Sequence, residues 1–317
     1  MTSGSPDQLT GGHLYHRRMA ERAAGRKASL SFVEAGGFRD PLRSPADVVV
    51  VDSIAAWSMS PLVVLRRPTV PLAAILHQPP GGVDGGVIRM TWQRPLDQAL
   101  YRRCRLLIAT SAALGSALIA EHRLPGDRII VIEPGSDLPA TGVARDLRGA
   151  HRISLLCVAN WLPNKGLLEL LDAVARLGPG DAVLHLVGRV DVDAAYRRRV
   201  LARLQVPDLA GRVVNHGPVP RDEIGRLYRG ADVFVLPSYR ETYGTVYAEA
   251  LAAGLPVIGW TSGNLRHLID DGREGVLVRR GDVAGLSVAM ARLAADERWR
   301  SQLADAARRR GVLLPTW

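Results

Sequence analysis

Two glutamates separated by seven residues are the side chains in this sequence whose type and spacing first indicate a ligand site. Glu241 and Glu249 flank Gly244 in the stretch ADVFVLPSYRETYGTVYAEALAAGLPVIG, which runs from 231 to 259. Carboxylates accept hydrogen bonds from sugar hydroxyls, and a glycine lets a ligand approach the backbone closely. The amides of residues 244–246 open a predicted helix, and a helix N-terminus suits an anionic phosphate. The pattern therefore predicts a phosphate site with one carboxylate on each side of it.

The elements around the glutamates place them at one edge of a parallel sheet. Residues 232–236 are an apolar, β-branched run that is typical of a buried parallel strand. From about Thr245 the pattern turns helical, and Pro256 bars the continuation of that helix. Glu241 is then expected in the loop after the strand and Glu249 in the first turns of the helix. Open α/β sheets bind their ligands at this edge.

A second charged candidate is Lys165, in the segment NWLPNKG at 160–166 after another apolar run. The chain holds only one other lysine, Lys27, among 41 basic residues, so a lysine here stands out. The first turn of a helix disfavours a cation unless an anion lies there, which favours a phosphate-binding role. The alternative is a solvated lysine at a helix start, just as two glutamates alone could both be solvated.

Apolar runs alternate with helical patterns along the whole chain, which predicts doubly wound parallel sheets. Two such sets are separated by a Pro-, Gly- and Thr-rich segment without periodicity at 138–150. We therefore predict an N-terminal Rossmann-like domain at 1–140 and a C-terminal one at 150–317. In the first set, strands are expected at 29–33, 46–51, 71–76, 105–110 and 128–132. In the second, they are expected at 153–158, 183–187, 213–215, 232–236, 257–259 and 275–278.

Composition, charge and missing motifs argue against several classes of protein. The net charge of +10 is divided evenly, +5 in residues 1–150 and +5 in the remainder, whereas a nucleic-acid-binding protein usually has a clustered basic face. Two cysteines, Cys104 and Cys157, fall in different predicted domains and are expected as free thiols. The sequence holds no Gly-x-Gly-x-x-Gly fingerprint, Walker loop, nucleophile elbow or local metal-ligand spacing, so we predict no metal site and no dinucleotide oxidoreductase.

The Glu–seven–Glu spacing, with Gly244 between the glutamates and an alanine-rich helix that ends in Gly-Leu-Pro-Val, resembles the donor site of glycosyltransferase family 4. The resemblance implies a GT-B fold, a retaining mechanism and a nucleotide-diphosphate sugar as donor, with no bound metal and no other cofactor. It implies that Glu241 faces the transferred sugar and Glu249 the ribose. The diphosphate would lie on Lys165 and on the amides of Gly244, Thr245 and Val246.

Further residues match the family's pattern less completely. Gly11 and Gly12 stand ahead of the first helical pattern and resemble the glycine-rich loop whose amides approach the donor phosphate. His77 ends a predicted strand and resembles the family's histidine beside the sugar, although a histidine at a strand end also serves structural roles. Asn160 stands where the family commonly has an arginine on the diphosphate. Asp271 to Gly275 match the family's Asp-Gly-x-x-Gly.

The two ends of the chain depart from the family's layout. The family begins with a central strand that runs into the glycine-rich loop, whereas only residues 1–6, MTSGSP, precede the loop region here. At Trp317 the chain ends where relatives continue into a helix that crosses back to the first domain. We therefore expect the N-terminal domain to lack its first strand and the crossing helix to be absent, with an upstream-extended chain more stable.

The resemblance implies an enzyme that transfers a hexose in the cytoplasm, with the site in the cleft between the domains. The donor would be a UDP- or GDP-linked sugar. The acceptor, a small molecule, a glycan or a lipid-linked sugar, would be read by the loops near Gly11 and at 78–86. The positive charge is also compatible with peripheral contact at the inner membrane face. Two other classes remain open: an inactive nucleotide-sugar binder, and a basic nucleic-acid-binding protein.

Overall fold

The computed structural model of this chain describes residues 11–33, 45–66, 68–82, 87–136, 138, 144 and 146–317. The chain divides into two units, one of residues 1–135 with Trp317 and one of residues 136–316. Each unit is built on its own parallel sheet.

The N-terminal unit contains a four-stranded parallel sheet with the order β1-β2-β3-β4. Its strands are β1 (Val49–Asp52), β2 (Leu72–Leu76), β3 (Leu106–Ala109) and β4 (Ile129–Val131). Its helices are α1 (Gly11–Ala23), α2 (Ala56–Leu65), α3 (Val87–Arg103) and α4 (Ala112–Ala120). Every residue of β2 is buried, as expected for an inner parallel strand with packing on both faces.

The second unit contains a six-stranded parallel sheet with the order β10-β9-β8-β5-β6-β7. Its strands are β5 (Ile153–Val158), β6 (Ala182–Val187), β7 (Val213–Gly217), β8 (Val233–Leu236), β9 (Val257–Trp260) and β10 (Gly275–Val278). Its helices are α5 (Leu167–Ala175), α6 (Ala194–Leu204), α7 (Arg221–Gly230), α8 (Thr245–Ala252), α9 (Leu265–Leu268), α10 (Val283–Ala295) and α11 (Glu297–Val312). The inner strands β6, β8 and β9 are wholly buried, while the edge strand β7 is partly exposed, so the apolar runs mark the centre of the sheet.

Two local predictions about the start of the chain are wrong. Residues 29–33 form no strand; Leu30, Phe32 and Val33 are each more than a third exposed. β-Favouring residues form a strand only where a neighbouring strand accepts their hydrogen bonds, and propensity alone does not supply one. Gly11 and Gly12 are the first two residues of α1 rather than a loop ahead of it. Glycine is tolerated in a first helical turn, where the amides lack helical partners anyway.

Several expectations lie outside the described residues. These are the absence of a strand in residues 1–6, part of the segment at 138–150, and residues 83–86 of the predicted acceptor loop. Both cysteines are free and buried, and burial raises the pKa of each thiol to about 12. Among the described residues, no helix combines the length and the apolar character needed to cross a membrane.

Asp232 fixes the start of β8 beside β5. Its Oδ2 accepts hydrogen bonds from the Ser154 amide at 2.8 Å, the Ser154 hydroxyl at 2.9 Å and the Arg148 Nε at 2.8 Å. Burial alone raises the pKa of Asp232, but the hydrogen bonds from Arg148 and Ser154 outweigh it, so the pKa lies below its usual value of 3.8. The folded state therefore favours the carboxylate, which stabilises the unit above the unfolded-state pKa.

Asp232→Asn is expected to lower the free energy of unfolding at pH 7 by about 1 to 3 kcal/mol, because partly buried hydrogen bonds to a charge are lost. Denaturant unfolding of both proteins from pH 7 to pH 3 measures the difference. It should stay constant down to about pH 5 and shrink as the pH falls through 3.8, where the carboxylate of the unfolded chain is protonated, towards the lower pKa of the folded state. Asp191→Asn is the matched control, since that carboxylate is exposed and pairs only with exposed Arg189 among the described contacts. A pH-independent difference at Asp232 would contradict the electrostatic role.

Candidate functional site

The order of the six-stranded sheet creates a crevice where β5 and β8 end. From β5 the chain passes outward to β6 and β7, then returns to the other side of β5 as β8 and continues to β9 and β10. Helices that follow adjacent strands on either side of such a switch point diverge, which leaves space for a ligand at the carboxyl edge. Residues 159–166 follow β5 and residues 237–244 follow β8, so both predicted ligand-binding segments border this crevice.

Lys165 and Glu241 are in direct contact, although 76 residues separate them. The Lys165 Nζ donates to the Glu241 Oε1, and the side chains are 21% and 14% exposed. Lys165 is the last residue of a 3-10 helix, Pro163–Lys165, that precedes α5. The lysine is therefore no solvated helix-start residue; its ammonium group is held at the switch point.

A glycine lets the two loops press together. Gly166 has a φ of 68°, and a Cβ there would lie 2.2 Å from the Pro237 carbonyl oxygen. Two hydrogen bonds join the same loops, since the Asn164 carbonyl accepts from the Tyr239 amide at 2.8 Å and from the Ser238 hydroxyl at 3.0 Å. A side chain at position 166 would therefore require the two loops to move apart.

The turn after β9 supports the Glu241 loop from its other side. The Asn264 amide donates to the Glu241 carbonyl at 3.1 Å, and the Asn264 side chain donates to the Tyr243 carbonyl at 3.0 Å. Gly263 has a φ of 57°, and its missing Cβ would lie 2.3 Å from the same Glu241 carbonyl. The backbone of Glu241 is thus fixed between two turns, which leaves its side chain to face Lys165.

The N-terminus of α8 has the geometry predicted for a phosphate site. Gly244 is its N-cap with a φ of 83° and no side-chain capping bond, and Thr245 and Val246 are its first helical residues. A Cβ on Gly244 would lie 2.5 Å from the Tyr247 ring, so the position suits glycine for space as well as for backbone conformation. The helix amides and dipole at this end favour an anion.

Glu249 lies within α8 and is only 5% exposed. Its Oε1 contacts the Arg221 Nη1 at 3.1 Å, and its Oε2 accepts from the Tyr228 hydroxyl at 3.2 Å. Burial, reinforced by the charge of Glu249, raises the pKa of Tyr228 well above its usual value.

Asn160 bonds to a neighbouring loop. Its Oδ1 accepts the Arg189 amide at 3.1 Å, and the Arg189 carbonyl accepts the Trp161 amide at 2.8 Å. These bonds join the loops after β5 and β6. Asn160 therefore makes a hydrogen bond between two loops at the position where the family commonly has an arginine.

His77 belongs to the N-terminal unit, directly after β2. Its amide donates to the Ser53 hydroxyl at 2.9 Å, and its ring lies edge-on to Tyr15 at 5.4 Å between centroids. Gly11 and Gly12 belong to the same unit. Approach of these three residues to a donor held by the second unit stays a prediction.

Sequence reasoning missed the partners of the buried carboxylates. Arg221 and Tyr228 hold Glu249 from positions 28 and 21 residues away, and neither belongs to a motif. In the N-terminal unit His16 contacts Asp52 across 36 residues, again with no local signal. The signal that could have indicated these partners is residue type, since Arg221 and Tyr228 are long polar side chains on a helix with a buried apolar face.

Comparison with known proteins identifies the relatives of both units. The family model described as "Glycosyltransferase Family 4" matches residues 2–139, and the one described as "Glycosyl transferases group 1" matches residues 152–296. The chain belongs to glycosyltransferase family 4. A D-inositol 3-phosphate glycosyltransferase of Thermomonospora curvata is 33% identical in an alignment of 221 residues that covers 63% of this chain and 51% of the relative. An MMP alpha-(1->4)-mannosyltransferase of Mycolicibacterium hassiacum is 27% identical over 78% of this chain and 62% of the relative.

Solved structures confirm the GT-B fold that the family resemblance implied. HepE of Anabaena in complex with UDP-glucose superposes with a TM-score of 0.73 at 20% identity, over 85% of this chain and 75% of HepE. A sucrose-phosphate synthase of Thermosynechococcus elongatus superposes with a TM-score of 0.71 at 25% identity, over 86% and 70% of the two chains. This family 4 chain spans about half the length of the D-inositol 3-phosphate glycosyltransferases that it matches.

Proposed function

We propose that this chain is a retaining glycosyltransferase that moves a hexose from a nucleotide-diphosphate sugar to an acceptor hydroxyl. The observation that carries the proposal is the direct contact of Lys165 with Glu241 at the switch point of the second sheet. The Lys165 cation would meet the diphosphate of the donor, and the Glu241 carboxylate would meet its sugar. Both groups lie near the N-terminus of α8, which has no side-chain cap. The UDP-glucose bound by HepE supports a nucleotide-diphosphate sugar as the donor, which we propose to be UDP- or GDP-linked.

In the proposed reaction Lys165 and the amides of Thr245 and Val246 stabilise the departing diphosphate. An ammonium group has three donors, so the contact with Glu241 leaves capacity for phosphate oxygens. Negative charge on the diphosphate grows in the transition state, and fixed donors that meet growing charge lower the barrier. The diphosphate takes the acceptor proton on the same face of the sugar as the bond that breaks. Lys165 and the helix amides then stabilise the negative charge of the diphosphate, and the proposed reaction needs no metal ion at the diphosphate.

Glu241 would orient the sugar as positive charge develops at the anomeric carbon, while Glu249 would hold the ribose. The side chains of Arg221 and Tyr228 support this division, because they fix the Glu249 carboxylate inside the fold. His77, Gly11 and Gly12 would approach the sugar and phosphate from the N-terminal unit. The acceptor, whether a small molecule, a glycan or a lipid-linked sugar, would meet that unit in the cytoplasm or at the inner membrane face.

A second candidate is a nucleotide-sugar binder without transferase activity. The observation that favours it is the use of the Asn160 side chain to bond the Arg189 amide, since this position offers the diphosphate no cation. Loss of one charge-assisted hydrogen bond weakens stabilisation of the leaving group more than it weakens binding of the ground state.

A thermal-shift screen with UDP-, GDP- and ADP-sugars tests the proposal. A ligand at about 100 times its Kd stabilises the fold by about 2.7 kcal/mol, which raises the melting temperature of a domain of this size by about 5 to 10 °C. We expect such a shift with one nucleotide class and none with free glucose. Release of nucleoside diphosphate from the stabilising donor would distinguish the transferase from the inactive binder. No shift with any donor would contradict both.

A further inference from the structure

A cavity of about 330 Å³ lies in the second unit between α9 and α11, and none of its lining residues belongs to the proposed donor site. The end of α9 and the turn after it form one wall, and the last turns of α11 form the other. Leu268, Ile269 and Ala306 are its buried apolar lining. The volume is at the lower end of those of small-molecule sites. The polar lining consists of His267, Asp270, Arg273, Glu274, Arg309 and Arg310.

The two carboxylates of the lining already have partners. The Arg273 Nη1 lies 3.4 Å from the Asp270 Oδ2, and the Arg273 Nε lies 3.3 Å from the Glu274 Oε1. The Glu274 Oε2 also accepts the Asp270 amide at 2.8 Å, while the Asp270 side chain is 73% exposed to solvent that screens its charge. Arg273 offsets one of the two negative charges, so the two remaining arginines give the lining an excess of positive charge.

Those two arginines are neighbours in the last turns of α11. The Nε and Nη2 of Arg310 donate to the carbonyls of Leu268 and His267, both at 3.0 Å. These bonds fix the guanidinium against the end of α9 and leave its Nη1 for a ligand. Arg309 is exposed and makes no hydrogen bond or ion pair among the described contacts. Guanidinium groups match the oxygens of a phosphate in geometry and charge, so the pair favours a phosphorylated ligand.

The two walls of the cavity lead to the supports of the two glutamates in the proposed donor site. The first wall, α9, begins directly after Asn264, which fixes the Glu241 loop and accepts the His267 amide at 2.9 Å. The second wall, α11, packs on the end of α8, the helix that contains the other glutamate. A Cβ on Gly311 would lie 2.4 Å from the Leu251 carbonyl oxygen. A ligand that joins α9 to α11 therefore stabilises both supports.

We propose that this cavity binds a small phosphorylated sugar, and that its binding raises the affinity of the second unit for the donor. The phosphate would contact Arg309 and Arg310, while the Asp270 carboxylate and the His267 ring would accept sugar hydroxyls. A phosphate ion alone would leave most of the volume and these acceptors unused. Bound ligand favours the arrangement in which both glutamates are held in place. Only the effect on the donor rests on the proposed function; binding at the cavity does not.

Calorimetric titration of the full chain with glucose 6-phosphate tests the site. We expect one equivalent to bind, with inorganic phosphate and glucose each at least about 10-fold weaker, since each makes only part of the contacts. Arg309→Glu and Arg310→Gln should each raise the Kd for glucose 6-phosphate about 10- to 100-fold, as for the loss of a hydrogen bond between charged groups. Arg298→Glu is the matched control, because Arg298 is an exposed arginine of the same helix outside the cavity. It should leave the Kd unchanged.

Titration with UDP and GDP, with and without saturating glucose 6-phosphate, tests the effect on the donor. The Kd for the nucleotide that binds should fall about 5- to 150-fold, and that nucleotide should tighten glucose 6-phosphate by the same factor. An unchanged nucleotide Kd would overturn the proposed coupling.

Circular dichroism establishes that each variant folds, and Arg309→Glu decides the matter if Arg310→Gln does not, because Arg309 is exposed. Unchanged glucose 6-phosphate binding in the folded variants would place the ligand elsewhere and overturn the site. Equal affinity for inorganic phosphate would overturn the assignment to a sugar. Glucose 6-phosphate binding that Arg309→Glu weakens, in a chain that binds no nucleotide or nucleotide sugar, would support the site and refute only the proposed function.

Discussion

Glu241→Ala is expected to lower the turnover number for sugar transfer by about 100- to 1000-fold, the range observed when a preorganised electrostatic group is removed from an active site. Donor affinity should change little, because the proposed role of Glu241 develops with the charge at the anomeric carbon. The physical basis is its placement: two turns fix its backbone, and Lys165 holds its carboxylate. Single-turnover kinetics and calorimetric titration of the donor measure the two quantities separately.

Glu249→Ala is the matched comparison, since it removes a carboxylate of the same donor site eight positions later. Its proposed contacts with the ribose are made equally in the ground state and the transition state. The donor Kd should therefore rise about 10- to 100-fold, as for one hydrogen bond to a charged group, while turnover at saturation falls less. Unchanged donor affinity in Glu249→Ala would exclude the ribose role. A pure loss of affinity in Glu241→Ala would exclude its role in the chemical step.

Lys165→Ala should lower kcat/KM more than Glu241→Ala does, by about 1000-fold or more. The same ammonium group serves both donor binding and departure of the diphosphate. The substitution also leaves the Glu241 carboxylate, only 14% exposed, without its ammonium partner. Part of the loss therefore comes from disorder of that carboxylate. The kinetics of Lys165→Ala, Glu241→Ala and the double variant measure this coupling, and the double variant should be less impaired than the product of the single effects predicts.

Lys27→Asn is the control for the loss of a lysine. Lys27 is exposed and has a φ of 56°, a conformation that asparagine tolerates well. It should leave donor binding and turnover unchanged. Melting temperatures separate catalytic from folding defects, since the Lys165 side chain is only 21% exposed and its loss could also affect folding. Transfer activity in Lys165→Ala within a few-fold of wild type would contradict the assignment of the leaving-group cation.

The main elements of both sheets were predictable from the sequence, because the signals that specify them are local. Strands β8 and β9 are uninterrupted apolar runs and β6 is apolar except for His185, and burial on both faces favours that composition. The stretch from 231 to 259 contains its own strand, glycine, helix and stop signals. For the same reason the positions of Glu241 after β8 and of Glu249 within α8 followed from the pattern alone.

Local patterns misled where a partner decides the outcome. Residues 29–33 have strand-forming side chains, yet a strand exists only where a neighbour completes its hydrogen bonds. Glycine fits both a loop and a first helical turn, so the identity of Gly11 and Gly12 does not distinguish the two states. The decision between the two states depends on where the following helix packs, which no window of sequence records.

By itself, the sequence determined the family, the alternation of strands and helices and the position of each glutamate along them. Only the tertiary structure decided which side chains meet. Lys165 meets Glu241 because β5 and β8 are neighbours across a switch point, and Arg221 meets Glu249 because α7 and α8 flank β8. His16, Asp52 and His77 converge through the register of β1 with β2. Backbone conformation follows from local preference, whereas ion pairs and ligand sets depend on distances that exist only once the sheets have formed.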